Sequence, residues 1–369
     1  MDYFITDYNV SKSNAVALQD CIMRKGNPVT AGSKILENFT APFDATVVTR
    51  LLDNETAIAG KTKMSEFGID RISADRTDDV SESIQVVSDN IASFSLCNDV
   101  FGKHRRQAAE QGMFYIHPTY GTVSRFGMIP LVCSMDQIGV ACKNLLDGFS
   151  ILSVIAGNDT NDGAMFPEKN YNYAGGNKKV TLGLPSLVIK QADEKIQKSI
   201  YGFTEKFNSV NIELDYFDAY KQTMYILCCA EISNNINRYD GIKFGYRTSN
   251  YRSLSDLYVN TRTEAFGLET KLTAVMGSMV LSHDQYVPYY EKALKLRRLI
   301  KESLRFDEYD VIVLPTSISE NPYENLSLFS LAPLAGLPSV SFSYNGGGIQ
   351  LIANVKNENA LITAWEAAQ

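Results

Sequence analysis

This chain of 369 residues is poor in the residues that build metal and redox centres. It has three His, one Trp and six Cys, the last at positions 21, 97, 133, 142, 228 and 229 with no CxxC pair. Without His/Cys clusters a structural zinc site is not expected. The thiols read as reduced, mostly core residues of a cytoplasmic protein. No run of about 18 apolar residues occurs, so no membrane span is expected. The first residues, MDYFITDYNV, lack the basic and apolar regions of a secretory signal. Basic residues are outnumbered, 35 Lys and Arg against 42 Asp and Glu, for a net charge of −7. That balance disfavours direct nucleic-acid binding by this chain alone, which needs clustered cations. Lys103, His104, Arg105 and Arg106 form one local basic run, which reads as a solvated face or as a structural Arg105 rather than an RNA patch. The glycines Gly346 to Gly348 read as a hairpin turn, because no helix follows directly to complete a phosphate cradle. No cofactor is implied.

Apolar residues make up 45% and charged residues 21%, enough for a sizeable core. NAVALQDCI reads as a buried strand, AIAGKTK as a short strand and turn, VTLGLPSLVI as a strand, and DVIVLPTS as an apolar run of strand length stopped by Pro315. PSVSFSY and IQLIANV read as a closing strand pair around NGGG. Helical spacing appears in ATVVTRLLDN, in LDGFSILSVIAG with Gly157 as its C-cap, and in DEKIQKSIYGFTEKFNS. It recurs in YKQTMYILCCAEISNNINRY, in TRTEAFGLETKLTAVMGSMVLS, in YVPYYEKALKLRRLIKESLRF and in the closing ALITAWEAAQ. SESIQVVSDNIASFSL reads as helix, then strand. Alternation of strands and helices predicts an α/β layered fold, and the absence of a low-complexity linker predicts one domain over residues 1–369.

NDVFGKHRRQAA, Asn98 to Ala109, leads into HPTYGTVSRFGMIPLVCSMDQIG, His117 to Gly139. With GKTKMSEFG, AGSKILENF, PFDATVV, GNDTNDGA, RYDGIKFGYR, TRTEAFGLE, YYEKALKLRRLIKE and LAGLPSVSF in order along the chain, these segments resemble the amidase signature family. Within it they are most similar to the A subunits of glutamyl-tRNA(Gln)/aspartyl-tRNA(Asn) amidotransferases. The resemblance implies a central mixed β-sheet covered by helices on both faces. By that resemblance the chain lacks the family's N-terminal helices and is trimmed in the loop after Gly68.

The resemblance also implies a Ser–cis-Ser–Lys triad, with backbone N–H groups of a Gly/Ser-rich turn holding the oxyanion. This chain departs from it at each position. Gln19 stands at the Lys position, and an amide has no useful basicity near neutral pH. Asp79 falls at the middle Ser, and Lys103 at the nucleophile, preceded by Val100, Phe101 and Gly102. Leu272 and Thr273 replace an Arg pair that would bind a glutamine carboxylate, and Leu326 an Asp that would contact its amino group. Tyr246 alone matches the polar substrate contacts. A buried Lys103 ammonium needs a carboxylate, and Asp79 or Asp99 is the expected partner. His117, before Pro118 where the family usually has Lys, reads as structural.

Three functions are compatible with this pattern. A pseudo-amidase would act through protein contacts with an amidotransferase-type subunit, an active amidase or itself. An enzyme with re-purposed chemistry would keep an open cleft around Lys103 and Tyr246. A residual amidotransferase subunit would need the family's other subunits.

Overall fold

The computed structural model describes residues 3–10, 14–70, 80–176 and 179–369. Eleven strands among them form one mixed sheet. In chain order they are β1 (Phe4–Asp7), β2 (Val16–Gln19), β3 (Ile58–Thr62), β4 (Phe94–Asn98), β5 (Phe114–His117) and β6 (Ile138–Cys142). There follow β7 (Thr181–Leu184), β8 (Asn208–Asn211), β9 (Val311–Pro315), β10 (Ser339–Tyr344) and β11 (Gly347–Ala353). Across the sheet the order is β1-β3-β2-β4-β6-β5-β10-β11-β9-β7-β8. The expected α/β architecture is present, with helices covering both faces of the sheet.

Strands β2, β3, β6 and β9 are buried along their whole length, which is why they lack the polar–apolar alternation of a half-exposed strand. The β10–β11 hairpin turns at Asn345 (φ 49°) and Gly346 (φ 78°), the left-handed pair that a two-residue hairpin loop requires.

Three expectations are corrected. The C-cap of the helix Leu145–Ile155 is Ala156, in extended backbone, and Gly157 (φ 128°) follows it with its N–H bonded to the Thr122 carbonyl. The helical pattern through residues 261–282 is two helices, Leu254–Ala265 and Leu268–Val280. They part at Gly267, where a Cβ would lie 2.7 Å from the Glu66 carboxylate that accepts the Gly267 N–H. The run from Tyr286 begins as a π-helical turn, Tyr286–Glu291, before the α-helix Lys292–Glu302. Of the six cysteines, five are buried and Cys133 is exposed. No helix among the described residues is long and apolar enough to cross a membrane.

Candidate functional site

β4 ends at Asn98, and the chain turns through Val100, Phe101 and Gly102 into the helix Lys103–Glu110. Gly102 has φ 82°, and a Cβ there would lie 2.3 Å from the ring of Phe329, which comes from the helix Leu326–Ala335. Only glycine therefore fits between the turn and that ring. Val100, Phe101, Phe329 and Leu326 are all at most 2% exposed, so this turn is roofed by apolar side chains.

The helix that follows is buried on nearly every side. The basic run is not a solvated face: His104, Arg105 and Arg106 are 6%, 0% and 7% exposed. Asp99 caps the helix, accepting the N–H of His104 (3.2 Å) and of Arg105 (2.9 Å). The Arg105 guanidinium makes five hydrogen bonds, to Asp99 Oδ2 (3.0 Å), the carbonyls of Asp99, Val100 and Phe329, and Gln350 Oε1. Burial pushes the Asp99 carboxyl up, but the charge of Arg105 and these hydrogen bonds outweigh it and hold its pKa down to about 2.

Arg105 thus occupies Asp99, so the expected Lys103–Asp99 pair does not form. Lys103, 6% exposed in its side chain, instead has Asp70 Oδ1 at 3.7 Å, and Ser65 Oγ donates to the same oxygen. The sequence signal was misleading because Asp99 is the nearer acid in the chain, whereas Asp70 arrives from a separate loop. Asp79 lies outside the described residues.

Gln19 ends β2 beside Thr62 of β3. Its Oε1 accepts the backbone N–H of Asn98 (2.9 Å) and the Cys21 thiol (3.3 Å). The amide nitrogen is thereby turned toward His104 Nε2 at 3.0 Å. An NH2 group only donates, so His104 Nε2 accepts and its proton sits on Nδ1. Nδ1 in turn lies 2.7 Å from Ser81 Oγ, which also accepts the N–H of Ile84 as the N-cap of helix Glu82–Ser88. Burial lowers the His104 pKa, in keeping with a neutral ring. Ser81 Oγ therefore accepts a hydrogen bond from His104 in this chain of bonds and does not donate one to it.

Two buried groups beside Gln19 carry no clear signal in the sequence. Lys61 and Asp20 form an ion pair at 2.8 Å with both side chains fully buried. Lys61 Nζ also donates to the carbonyls of Pro28 (2.9 Å) and Asp20 (3.3 Å). Burial lowers its pKa and Asp20 opposes the change. Lys61 pairs in register with Leu18 and Thr62 with Gln19, so alternation sends Lys61 to the face of the sheet opposite Gln19. The lone lysine in the otherwise uncharged strand IAGKT is the one hint of it.

The positions assigned to substrate contacts lie apart in character. Tyr246 donates to Glu264 (2.6 Å), and Lys34 lies 4.1 Å from its ring centroid. Leu272 is 38% exposed, Thr273 is buried with its hydroxyl donating to the Glu269 carbonyl, and Leu326 is core. His117 is fully buried, and burial followed by the charge of Arg105 pulls its pKa down to about 3.

A separate cleft of about 460 Å³ opens beyond Asp136, which accepts from Asn98 Nδ2 (2.8 Å). Phe39, Phe43, Phe126, Tyr239 and Phe244 line it, with Arg125 and Arg238. Asp162 of GNDTNDGA fixes Arg125 through Nε (2.9 Å) and Nη2 (2.6 Å). Neither Lys103 nor Tyr246 lines this cleft. Among the described residues no group of three or more His, Cys, Asp or Glu is placed to hold a metal ion.

The family described as Amidase matches residues 15–73 and 85–327. The glutamyl-tRNA(Gln) amidotransferase A subunit of Legionella pneumophila is 33% identical, over 94% of this chain and 81% of that protein. The corresponding A subunit of Listeria welshimeri is 32% identical, over 98% of this chain and 84% of its own. Among solved structures, the glutamyl-tRNA(Gln) amidotransferase A subunit of Thermotoga maritima superposes with a TM-score of 0.75 at 24% identity, covering 98% of this chain and 86% of that one. A 6-aminohexanoate cyclic dimer hydrolase with bound substrate reaches 0.76 at 16% identity, covering 96% and 84%.

Proposed function

Since the chain belongs to the amidase family, we propose that it is a pseudo-amidase, resembling the A subunit of glutamyl-tRNA(Gln) amidotransferase, that acts through protein contacts. Gln19, Asp79 and Lys103 are the degenerate triad positions in this reading. Tyr246, Leu272, Thr273 and Leu326 mark the former substrate contacts. One observation carries it: Gln19 is locked as an amide by the Asn98 N–H, so no base stands where the family's relay needs one. The Phe329 ring over Gly102 supports the same conclusion from the opposite side, because it fills the space above the turn. Lys103, paired with Asp70, plugs the position of the lost nucleophile.

The test is ammonia release from glutamine and from simple amides by the pure chain. No turnover above background is expected, and Lys103→Ala should leave that background unchanged. Turnover that disappears in Lys103→Ala would overturn the proposal.

A second reading rests on the aromatic cleft beside Asp136, whose volume suits a small ligand. It would make the chain a re-purposed binding protein or enzyme, with the ligand held by Phe39, Phe126 and Arg238 rather than by Lys103 or Tyr246. The names of the relatives support a third, a residual role within an amidotransferase; co-purification with other subunits of that type would favour it.

A further inference from the structure

The helix Leu268–Val280 is built inside out. Its buried residues are Thr270, Thr273, Gly277 and Val280, three of them small; Thr270 donates to Glu66 and Gly277 lies against the helix Tyr220–Asn235. At Gly277 a Cβ would lie 2.1 Å from the Cys229 carbonyl and 2.4 Å from Ser233 Cβ, so the two backbones touch there. Apart from Val280, the large apolar side chains face outward instead. Leu268 and Val275 are each 69% exposed, Leu272 38%, Met276 39% and Met279 45%. An amphipathic helix normally turns that stripe to the core.

The outward residues 268, 272, 275 and 279 follow the alternating four- and three-residue spacing of a coiled-coil seam, which specifies another helix as its partner. Leu281, Tyr286 and Val287, which follow the helix in the chain, are exposed as well. At roughly half exposure, these large side chains together present on the order of 800 Å² per copy, about what a standard-size interface takes from each partner.

We propose that this face is a two-fold interface between copies of the chain, with the helices Leu268–Val280 packed antiparallel. A two-fold contact must be self-complementary, and this seam reads alike in both directions. Antiparallel pairing sets Leu268 against Met279 of the second copy and Leu272 against Val275. It also sets Glu269 against Ser278 and Lys271 against Met276, so no like charges meet and the Lys271 stem covers the Met276 thioether. The interface is independent of whether the old site turns over, and its failure would leave the pseudo-amidase reading standing.

Analytical ultracentrifugation of the whole chain at ~1 to ~100 μM and ~0.15 M salt tests it. The wild type is expected at twice the mass of one chain. Leu268→Glu alone and Met279→Lys alone should each yield monomers with unchanged circular dichroism. The double variant Leu268→Glu/Met279→Lys should dimerise again, because each Glu then faces a Lys across the two-fold. A monomeric wild type throughout that range would assign the face to a different chain and overturn the proposal. Dimers that survive the single charges, or a double variant that is not rescued, would overturn it as well.

Discussion

The amide nitrogen of Gln19 lies 3.0 Å from Nε2 of His104, and this contact sets the direction of every proton in the site. Because Asn98 fixes the amide's orientation, the imidazole must present its lone pair to Gln19 and its N–H to Ser81. Serine and histidine sit within bonding distance, yet in the order opposite to that of a nucleophile and its base.

Gln19→Leu should remove the acceptor for the Asn98 N–H and the donor to His104 at once. Each buried group left unmet costs about 1–3 kcal/mol. Urea denaturation is expected to show a loss of about 2–6 kcal/mol for the two together, with an unchanged slope. A Gln19→Leu chain as stable as wild type would show that the relay contributes nothing to the fold.

Restoring residue types should not restore chemistry. Gln19→Lys/Lys103→Ser is expected to release no ammonia from glutamine, because Phe329 still covers Gly102. Removing the ring is costly too: Phe329→Ala should destabilise by about 3–5 kcal/mol, as large-to-small aromatic changes in cores do. Hydrolysis by the double variant would mean that the turn is open to substrate.

Arg105→Met should cost about 3–5 kcal/mol, since it leaves Asp99 charged, buried and without its counter-ion. Asp99→Asn in the same chain should recover part of that loss. A double-mutant cycle read by thermal or chemical denaturation measures the coupling, and strict additivity would contradict the pairing.

Stability should fall on mild acidification before carboxylates matter. His117 has its pKa pulled from 6.5 down to about 3 in the fold. Between those values the unfolded chain binds a proton that the native chain refuses, so native stability declines by about 1.4 kcal/mol per pH unit. His104, also lowered by burial, acts in the same direction. Asp99 acts in the same direction over a lower pH window. Its stabilisation is complete above its ordinary pKa of 3.8 and is lost as pH falls toward about 2. Denaturation at about pH 7.5 and about pH 5.5 reads the loss, and His117→Gln should flatten the difference.

The sheet is legible in the sequence wherever a strand is buried on both faces, as in VALQ and VIVLP, or closed by a turn with special backbone, as at Asn345–Gly346. Short strands with mixed faces, such as Phe4–Asp7 and the fully exposed Asn208–Asn211, carry no such signal. At the site, the identities of Gln19 and Lys103 can be read in line, but their partners cannot. Asp70 and Phe329 reach the turn from other parts of the chain, and spacing within a segment is silent on which remote side chain arrives. The direction of the His104 proton is equally hidden, since it depends on a backbone N–H of the next strand.

The Arg105 bonds to the Phe329 carbonyl and to Gln350 join points 224 and 245 residues away in the chain. During synthesis, therefore, the segment that carries Gln19, Asp99 and Lys103 emerges long before the groups that complete its burial. Until the helix Leu326–Ala335 has left the ribosome, the Arg105 guanidinium lacks its remote acceptors and the turn at Gly102 lacks its cover. Nascent chains arrested short of that helix would present this region open, at the stage when a binding chaperone has most to recognise.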